Sequence, residues 1–297
     1  MPIKFDLSRE WTCPSWETVL TLAERLGGAS PWGNSRWGDL RRCPFLYWWK
    51  HVRRMTEKDP SEALEIGGLY HEARARYYQT YLRHEDELPG DELDRACVEA
   101  GHEIIERASE VTPYVSSMAR KLFESWLVKY GPGMPLDDRD KVYDVECLLE
   151  VDSPFPYSAR IDAWLMTDYG PVIMEIKTAA RRDGRLITSY GMDPQFIGHA
   201  YLWRKTMQKK WGPLHGYYID LATKTDPVGV TREAIEVSNK QIVQWEKSMQ
   251  HWNLLRHQFE VTKSWPKNYG YQCRFCSLFR YCASGNSDPT GWVRRAK

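Results

Sequence analysis

Residues 157–178 read YSARIDAWLMTDYGPVIMEIKT. From Tyr157 to Met166, Ala159, Ile161, Ala163 and Leu165 alternate with Ser158, Arg160, Asp162 and Trp164, the period of two expected of a strand. Thr167-Asp168-Tyr169-Gly170 supplies a turn. A second strand then runs from Val172 to Lys177, with Val172, Met174 and Ile176 on one face and Ile173, Glu175 and Lys177 on the other. The hairpin sets Asp162 beside Glu175 and Lys177, with side chains pointing the same way. Two carboxylates with an open side suit a hard divalent cation that keeps its waters. A lysine beside them adds positive charge where an attacking water would sit. Hydrolysis of a phosphodiester fits that set; the plainer alternative is a solvated strand face crossed by ion pairs.

Working outward, Val142 to Val151 also alternates, with Tyr143, Val145, Cys147, Leu149 and Val151 forming one apolar face. Glu146 lies on the opposite face, read first as a solvated carboxylate and second as a ligand for another metal. Upstream, residues 61–83 and 91–111 carry apolar residues at three- and four-residue steps, and Pro113 opens a further helix to about Tyr130. His71 lies on the first of these helices, after Gly67-Gly68. Downstream, Asp193-Pro194 is a helix start for a segment reaching about Trp211, with Gln195 and Tyr201 off its apolar stripe of Phe196, Ala200, Trp203 and Met207. Leu214 to Leu221 reads as a fourth strand, Ser238 caps another helix, and the tail from Lys263 reads as loop. The remaining histidines, 51, 84, 102, 199, 215, 251 and 257, lack comparable context.

The chain's 297 residues are enough for a sizeable core. With 41 Lys and Arg against 40 Asp and Glu, no global field favours polyanions, so nucleic-acid binding requires local clustering of cations. No window is apolar enough to cross a bilayer, and Met1 to Trp11 lacks the basic start and apolar middle of a secretory signal. A cytoplasmic location without a membrane partner is therefore expected. Fourteen Trp and 17 Tyr read first as core, with base stacking as the alternative.

Cys273, Cys276 and Cys282 form C-x2-C-x5-C, and Cys43 stands far upstream in RCPFLYW, residues 42–48. Four soft thiolates satisfy either a 4Fe-4S cluster or a tetrahedral zinc. Closing the 230 residues that separate Cys43 from Cys273 removes about 5 kcal/mol of unfolded-chain freedom, so the group would act as a staple. Cys147 reads as core; Cys13 and Cys97 fit no ligand spacing.

The succession of a helix histidine, a strand aspartate, an acid-x-lysine and a helix carrying Gln and Tyr resembles the RecB-like branch of the PD-(D/E)XK nuclease superfamily. The split cysteine arrangement is similar to its iron–sulfur members, including the CRISPR-associated exonuclease group and AddB-type subunits. The match covers residues from about 40 to 283. It departs from the pattern in having Ala159 where a glycine is common and Glu175 where Asp is usual. Iron–sulfur DNA glycosylases also end in C-x2-C-x5-C, but they need a further cysteine where this chain has Pro266.

The resemblance implies an α/β fold, a mixed central sheet flanked by helices as in restriction endonucleases, with N-terminal helical additions and an iron–sulfur staple. It implies Mg2+ or Mn2+ held by His71, Asp162, Glu175 and the carbonyl of Ile176. Lys177 would orient or activate the nucleophilic water, Gln195 and Tyr201 would hold the DNA backbone or brace the site, and Cys43, Cys273, Cys276 and Cys282 would hold a 4Fe-4S cluster. One nuclease domain over 1–297 would comprise a segment 1–60 with the first cysteine, a helical part 61–135, a catalytic sheet 140–222, and a C-terminal helix with the three-cysteine tail, 238–297. The implied activity is a DNA exonuclease on single-stranded or end-containing substrates, in recombination, repair or CRISPR and phage DNA processing. Its assembly partners would be a helicase, a single-strand annealing protein or a CRISPR integration complex. The alternative is a catalytically silent DNA-binding subunit. Arg181, Arg182 and Arg185, just after the lysine motif, are the expected phosphate contacts. Lys205, Lys209 and Lys210, and the tail residues Arg294, Arg295 and Lys297, read no more strongly as DNA contacts than as solvated faces.

Overall fold

The computed structural model describes residues 32–57, 61–109, 112–225, 227–285 and 291–294. The stretch Met1–Trp11, Cys13, Arg295 and Lys297 lie outside them. In chain order come α1 (Asn34–Arg42), α2 (Pro44–Tyr47), a π-helical turn at Trp48–Val52 and β1 (Met55–Glu57). Three longer helices follow: α3 (Glu62–His84), α4 (Gly90–Arg107) and α5 (Pro113–Tyr130). Then come β2 (Val142–Val151), β3 (Tyr157–Thr167), β4 (Gly170–Ala179), α6 (Gly184–Tyr190), α7 (Pro194–Thr206), α8 (Gln208–Trp211), β5 (Gly216–Thr223) and β6 (Gly229–Ile235). The chain continues through α9 (Asn239–Thr262), a 3-10 turn at Tyr271–Phe275, α10 (Phe279–Ala283) and β7 (Trp292–Arg294). No described helix is long and apolar enough to cross a membrane.

The main sheet has the order β2-β3-β4-β5-β6, antiparallel except for the parallel pair β4 and β5. That pair needs a crossover, and α6, α7 and α8 supply it. Local sequence fixes two helix starts: the Asp193 carboxylate accepts from Gln195 N at 2.8 Å with Pro194 in the first turn, and Ser238 and Gln241 form a reciprocal capping box. One sheet face packs on α3, α4 and α5 through Val145, Ala163, Leu165, Met174 and Ile176. The other packs on α1, α7 and α9 through Cys147, Ile161, Trp164 and Ile173.

The expected unbroken alternation is corrected here. Val145 and Cys147 join opposite cores, as do Ile161 and Ala163. The phase flips at Glu146, whose φ of 56° is left-handed, and at Asp162 opposite it, so the pleat reverses with no change in residue types. Trp164, expected among the polar residues, is buried against Trp203 and Trp211, and the exposed Tyr143 stacks on it at 4.7 Å. β6, α6 and the short elements before residue 61 were absent from the sequence reading.

The tail is more ordered than expected. β7 pairs antiparallel with β1, Met55 opposite Arg294, and Leu46, Trp49, Leu278 and Trp292 form a small third core beside Cys43, Cys276 and Cys282. Elements of three to five residues leave no period to read, and only pairing between distant segments makes them.

Candidate active site

The site lies where β3 and β4 part. Their ladder runs from Thr167 opposite Gly170 to Ala163 opposite Met174. Beyond it, the Asp162 carboxylate takes the place of a strand carbonyl and accepts from Ile176 N at 2.6 Å. On the next pleat, Glu175 Oε2 receives Lys177 Nζ at 3.2 Å and Gln195 Nε2 at 3.0 Å, while Lys177 Nζ donates to Gln195 Oε1 at 3.1 Å. This closed triangle joins β4 to the first turn of α7.

His71 arrives from α3. That helix runs close over β4 at Gly67, where a Cβ would meet Thr178 Oγ1 at 2.9 Å. One turn later His71 Nδ1 stands 3.6 Å from Asp162 Oδ1. Glu146 faces the same gap from β2, with Arg160 Nη1 at 3.7 Å from its carboxylate.

Charge is unevenly compensated. Burial opposes ionisation of Asp162, but His71, Lys177 and the Ile176 N–H together hold its pKa below the usual carboxylate range. Burial works against the Lys177 ammonium too; Glu175 and Asp162 outweigh it and raise its pKa, so Lys177 is charged at neutral pH. Glu146 bears the cost: burial first, then Asp162, pushes it up to about 8.

Sequence reading missed His199. It lies four residues after Gln195 on α7, one helical turn on, and Gly198 lets that turn press on β3, where a Cβ would stand 2.1 Å from the Tyr157 hydroxyl oxygen. His199 and Glu175 are 2% and 1% exposed, and His199 Nδ1 is 3.1 Å from Glu175 Oε1. The two are not aligned as a hydrogen bond, which leaves both atoms buried without such a partner among the described residues. The i, i+4 spacing from Gln195 was the available signal.

The other expected residues are placed differently. Tyr201 is wholly buried, its ring stacked on Phe155 at 5.5 Å and tilted against Trp245, with no hydrogen bond to the carboxylate group. Arg181, Arg182 and Arg185 are exposed, and Arg182 grips Glu233 with Nη2 to Oε1 at 2.6 Å. Lys205 pairs with Glu246, and Lys210 lies 4.4 Å over the Trp211 ring.

Among the described residues no three His, Cys, Asp or Glu side chains stand close enough to clasp one ion. Asp162 is turned onto Ile176 and His71, and Glu175 onto Lys177 and Gln195. The residues nevertheless fit a divalent cation: the gap holds three carboxylates against Lys177 and Arg160, and the buried Glu175 Oε1 lacks a hydrogen-bond donor. Cys43, Cys273, Cys276 and Cys282, all free, line one cavity of about 130 Å³ together with Arg42, Lys267, Tyr269 and Phe279. A single zinc would need its thiolates roughly 4 Å apart.

Comparison with known proteins agrees with this geometry. Of two solved structures that align with the chain, one is similar in fold. A candidate exonuclease of Eubacterium rectale aligns with a TM-score of 0.50 at 12% identity, covering 98% of this chain and 97% of that one. The protein SSO0001 aligns at a TM-score of 0.32 and 14% identity over 83% of this chain and 94% of its own. No curated protein matches the sequence. The model of the PD-(D/E)XK nuclease superfamily matches residues 32–283, a span that holds the whole parted sheet and all four thiols, and the chain belongs to that superfamily.

Proposed function

We propose that the chain is a divalent-metal-dependent deoxyribonuclease whose site comprises His71, Asp162, Glu175, Lys177, Gln195 and the Ile176 carbonyl. The observation that carries this reading is the triangle of Glu175, Lys177 and Gln195 beside Asp162 at the strand break. Asp162, Glu175 and His71 would hold Mg2+ or Mn2+, which supplies a Lewis acid for the phosphate and a more acidic water. Lys177, kept charged by the two carboxylates, stabilises the negative charge that builds on phosphate oxygens in the transition state. Gln195 holds the ammonium toward that position, since it accepts from Lys177 and donates to Glu175. Tyr201 braces α7 rather than touching substrate, consistent with its burial.

The preferred substrate is single-stranded or end-containing DNA, and the setting is recombination, repair or CRISPR-type processing with a helicase, annealing or integration partner. The four thiols hold a 4Fe-4S cluster as a staple, like the AddB-type and CRISPR-associated members. Supporting this is their placement around one cavity. A time course on end-labelled linear, single-stranded and circular DNA with Mg2+ or Mn2+ tests the activity. Circles digested as fast as linear strands would overturn the exonuclease assignment, and no cleavage of any of them would overturn the nuclease. Brown anaerobically prepared protein, with about four irons per chain expected for the cluster, separates it from colourless zinc protein.

A further inference from the structure

The near-neutral net charge conceals a strong separation. Arg36–Arg54 and Lys263–Gly285, the two segments that carry the four thiols, hold ten Lys and Arg and one acid, Asp39. The rest of the chain therefore has eight more acids than Lys and Arg. Packing around the thiols brings the two segments together: Arg42 Nη2 donates to Gln272 O at 2.8 Å, Asn268 Nδ2 donates to Arg42 O at 3.0 Å, and Lys267 lies 5.0 Å over the Phe45 ring. Around the thiol cavity Arg42 and Lys267 meet no acid among its lining residues, and Arg274 and Arg280 are exposed close by in sequence, which is the electrostatic footprint of a polyanion site.

The same face is aromatic. Tyr269, Tyr271, Phe275 and Phe279 are 74%, 70%, 70% and 53% exposed. Elsewhere the open rings Tyr114, Tyr143 and Tyr169 stand singly and the large rings Trp37, Trp126, Trp164 and Trp203 are fully buried, so four open rings within eleven residues are not explained by core packing. Tyr271 and Phe275 lie 5.6 Å apart on the 3-10 turn, Arg274 sits over the Tyr271 ring at 5.3 Å, and Tyr269 and Phe279 line the mouth of the thiol cavity. Exposed rings offer stacking faces to unpaired bases, and flanking guanidinium groups take the phosphates between them. A duplex presents no free base faces to such rings, and an acidic protein partner would use the charges but not the row of rings.

We propose that the thiol lobe is a binding surface for single-stranded nucleic acid, with Tyr271 and Phe275 as stacking platforms and Arg274 and Arg280 as phosphate contacts. It deepens the nuclease reading by adding a place where an unpaired strand is held, and of that reading it uses only the polymer. The thiols and their ligand, whatever it is, serve as the frame that keeps the rings in place.

Fluorescence anisotropy of a labelled dT oligomer with the full chain, prepared anaerobically and held in EDTA so that nothing is cut, tests the surface apart from the chemistry. The double variant Tyr271→Ala, Phe275→Ala should bind dT at least tenfold more weakly and bind duplex of equal length nearly as before. The variant Arg274→Ala, Arg280→Ala should reduce the slope of log affinity against log salt by roughly 1.4 for a single strand. Unchanged dT affinity in the ring variant would overturn the proposal, as would an equal loss on dT and duplex. A change of oligomeric state with dT affinity intact would also overturn it, and would assign the face to protein contact. Wild-type cleavage keeps the two readings separable: a wild-type chain that holds dT in EDTA and cuts nothing once Mn2+ is supplied retains this surface and loses the nuclease.

Discussion

Two groups of buried charges flank the same strands and differ in one respect. On the face under α3 and α5, Arg74 and Arg232 meet Asp220 and Asp138: Arg74 Nη2 is 2.7 Å from Asp220 Oδ2, Arg232 Nε is 2.6 Å from Asp220 Oδ1, and Tyr78 donates to Asp138 at 3.1 Å. Two cations match two anions. At the strand break, Glu146, Asp162 and Glu175 face Lys177 and Arg160, and burial first, then the carboxylate of Asp162, pushes Glu146 up. The two groups are neighbours: His71 and Arg74 both project from α3, and Ile176, which binds Asp162, is the register partner of Asp220 on β4 and β5. Balance marks the group that holds the fold, and imbalance marks the group proposed above to take a cation.

Breaking each group in turn should separate the two roles. Lys177→Ala is expected to lower DNA cleavage about 10²–10⁴-fold, with the melting temperature close to wild type; cleavage within a few-fold of wild type would remove the front group from the chemistry. Asp220→Ala leaves Arg74, wholly buried, without its carboxylate and should cost about 3–5 kcal/mol in urea unfolding. The double replacement Arg74→Met, Asp220→Leu should be less damaging than Asp220→Ala alone. Equal damage would mean that the back group does more than balance charge.

How much of this was legible depended on distance in sequence. Asp162, Glu175 and Lys177 could be read because a single hairpin carries them, and His71 because the helix signal around it is strong. The flip of pleat at Glu146 was not, since a left-handed residue leaves no mark on the alternation of types. Val145 and Cys147 look alike on paper and lie in different cores. The Arg74–Asp220 pair joins residues 146 positions apart, and Arg74 on an apolar helix stripe gave no hint of its partner. The cysteine spacing announced a shared site, while the rings beside it looked like core until their exposure was known.

His199 sharpens the comparison from within the front group. It stands 3.1 Å from Glu175 Oε1, the oxygen that Lys177 and Gln195 leave unbonded, so within the proposed site it would position that carboxylate. His199→Ala should raise the Mn2+ concentration for half-maximal cleavage about 10–100-fold, as loss of a partner of a metal ligand commonly does. His199→Gln should recover part of the loss. A titration of cleavage against Mn2+ checks this: an equal fall at all concentrations, with no shift in the midpoint, would mean that His199 supports only the packing of α7.

The smallest effect tests the surplus charge directly. Glu146 has its folded pKa raised from about 4.5 to about 8, so between these values the folded protein keeps a proton that the unfolded chain has released. Stability from this group is therefore present at low pH and is lost as pH rises toward 8. Asp162 runs the other way: its folded pKa is lowered, so its contribution is present above its ordinary value of 3.8 and lost as pH falls below it. In EDTA at pH 8.5, Glu146→Gln should be more stable than wild type by about 1 kcal/mol, and at pH 5 the two should match. Saturating Mn2+ should erase the difference at pH 8.5, because the cation offsets the same charge that the amide removes. A variant less stable than wild type at pH 8.5 would show that the Arg160 contact outweighs the crowding of carboxylates, and the front group would then be as balanced as the back.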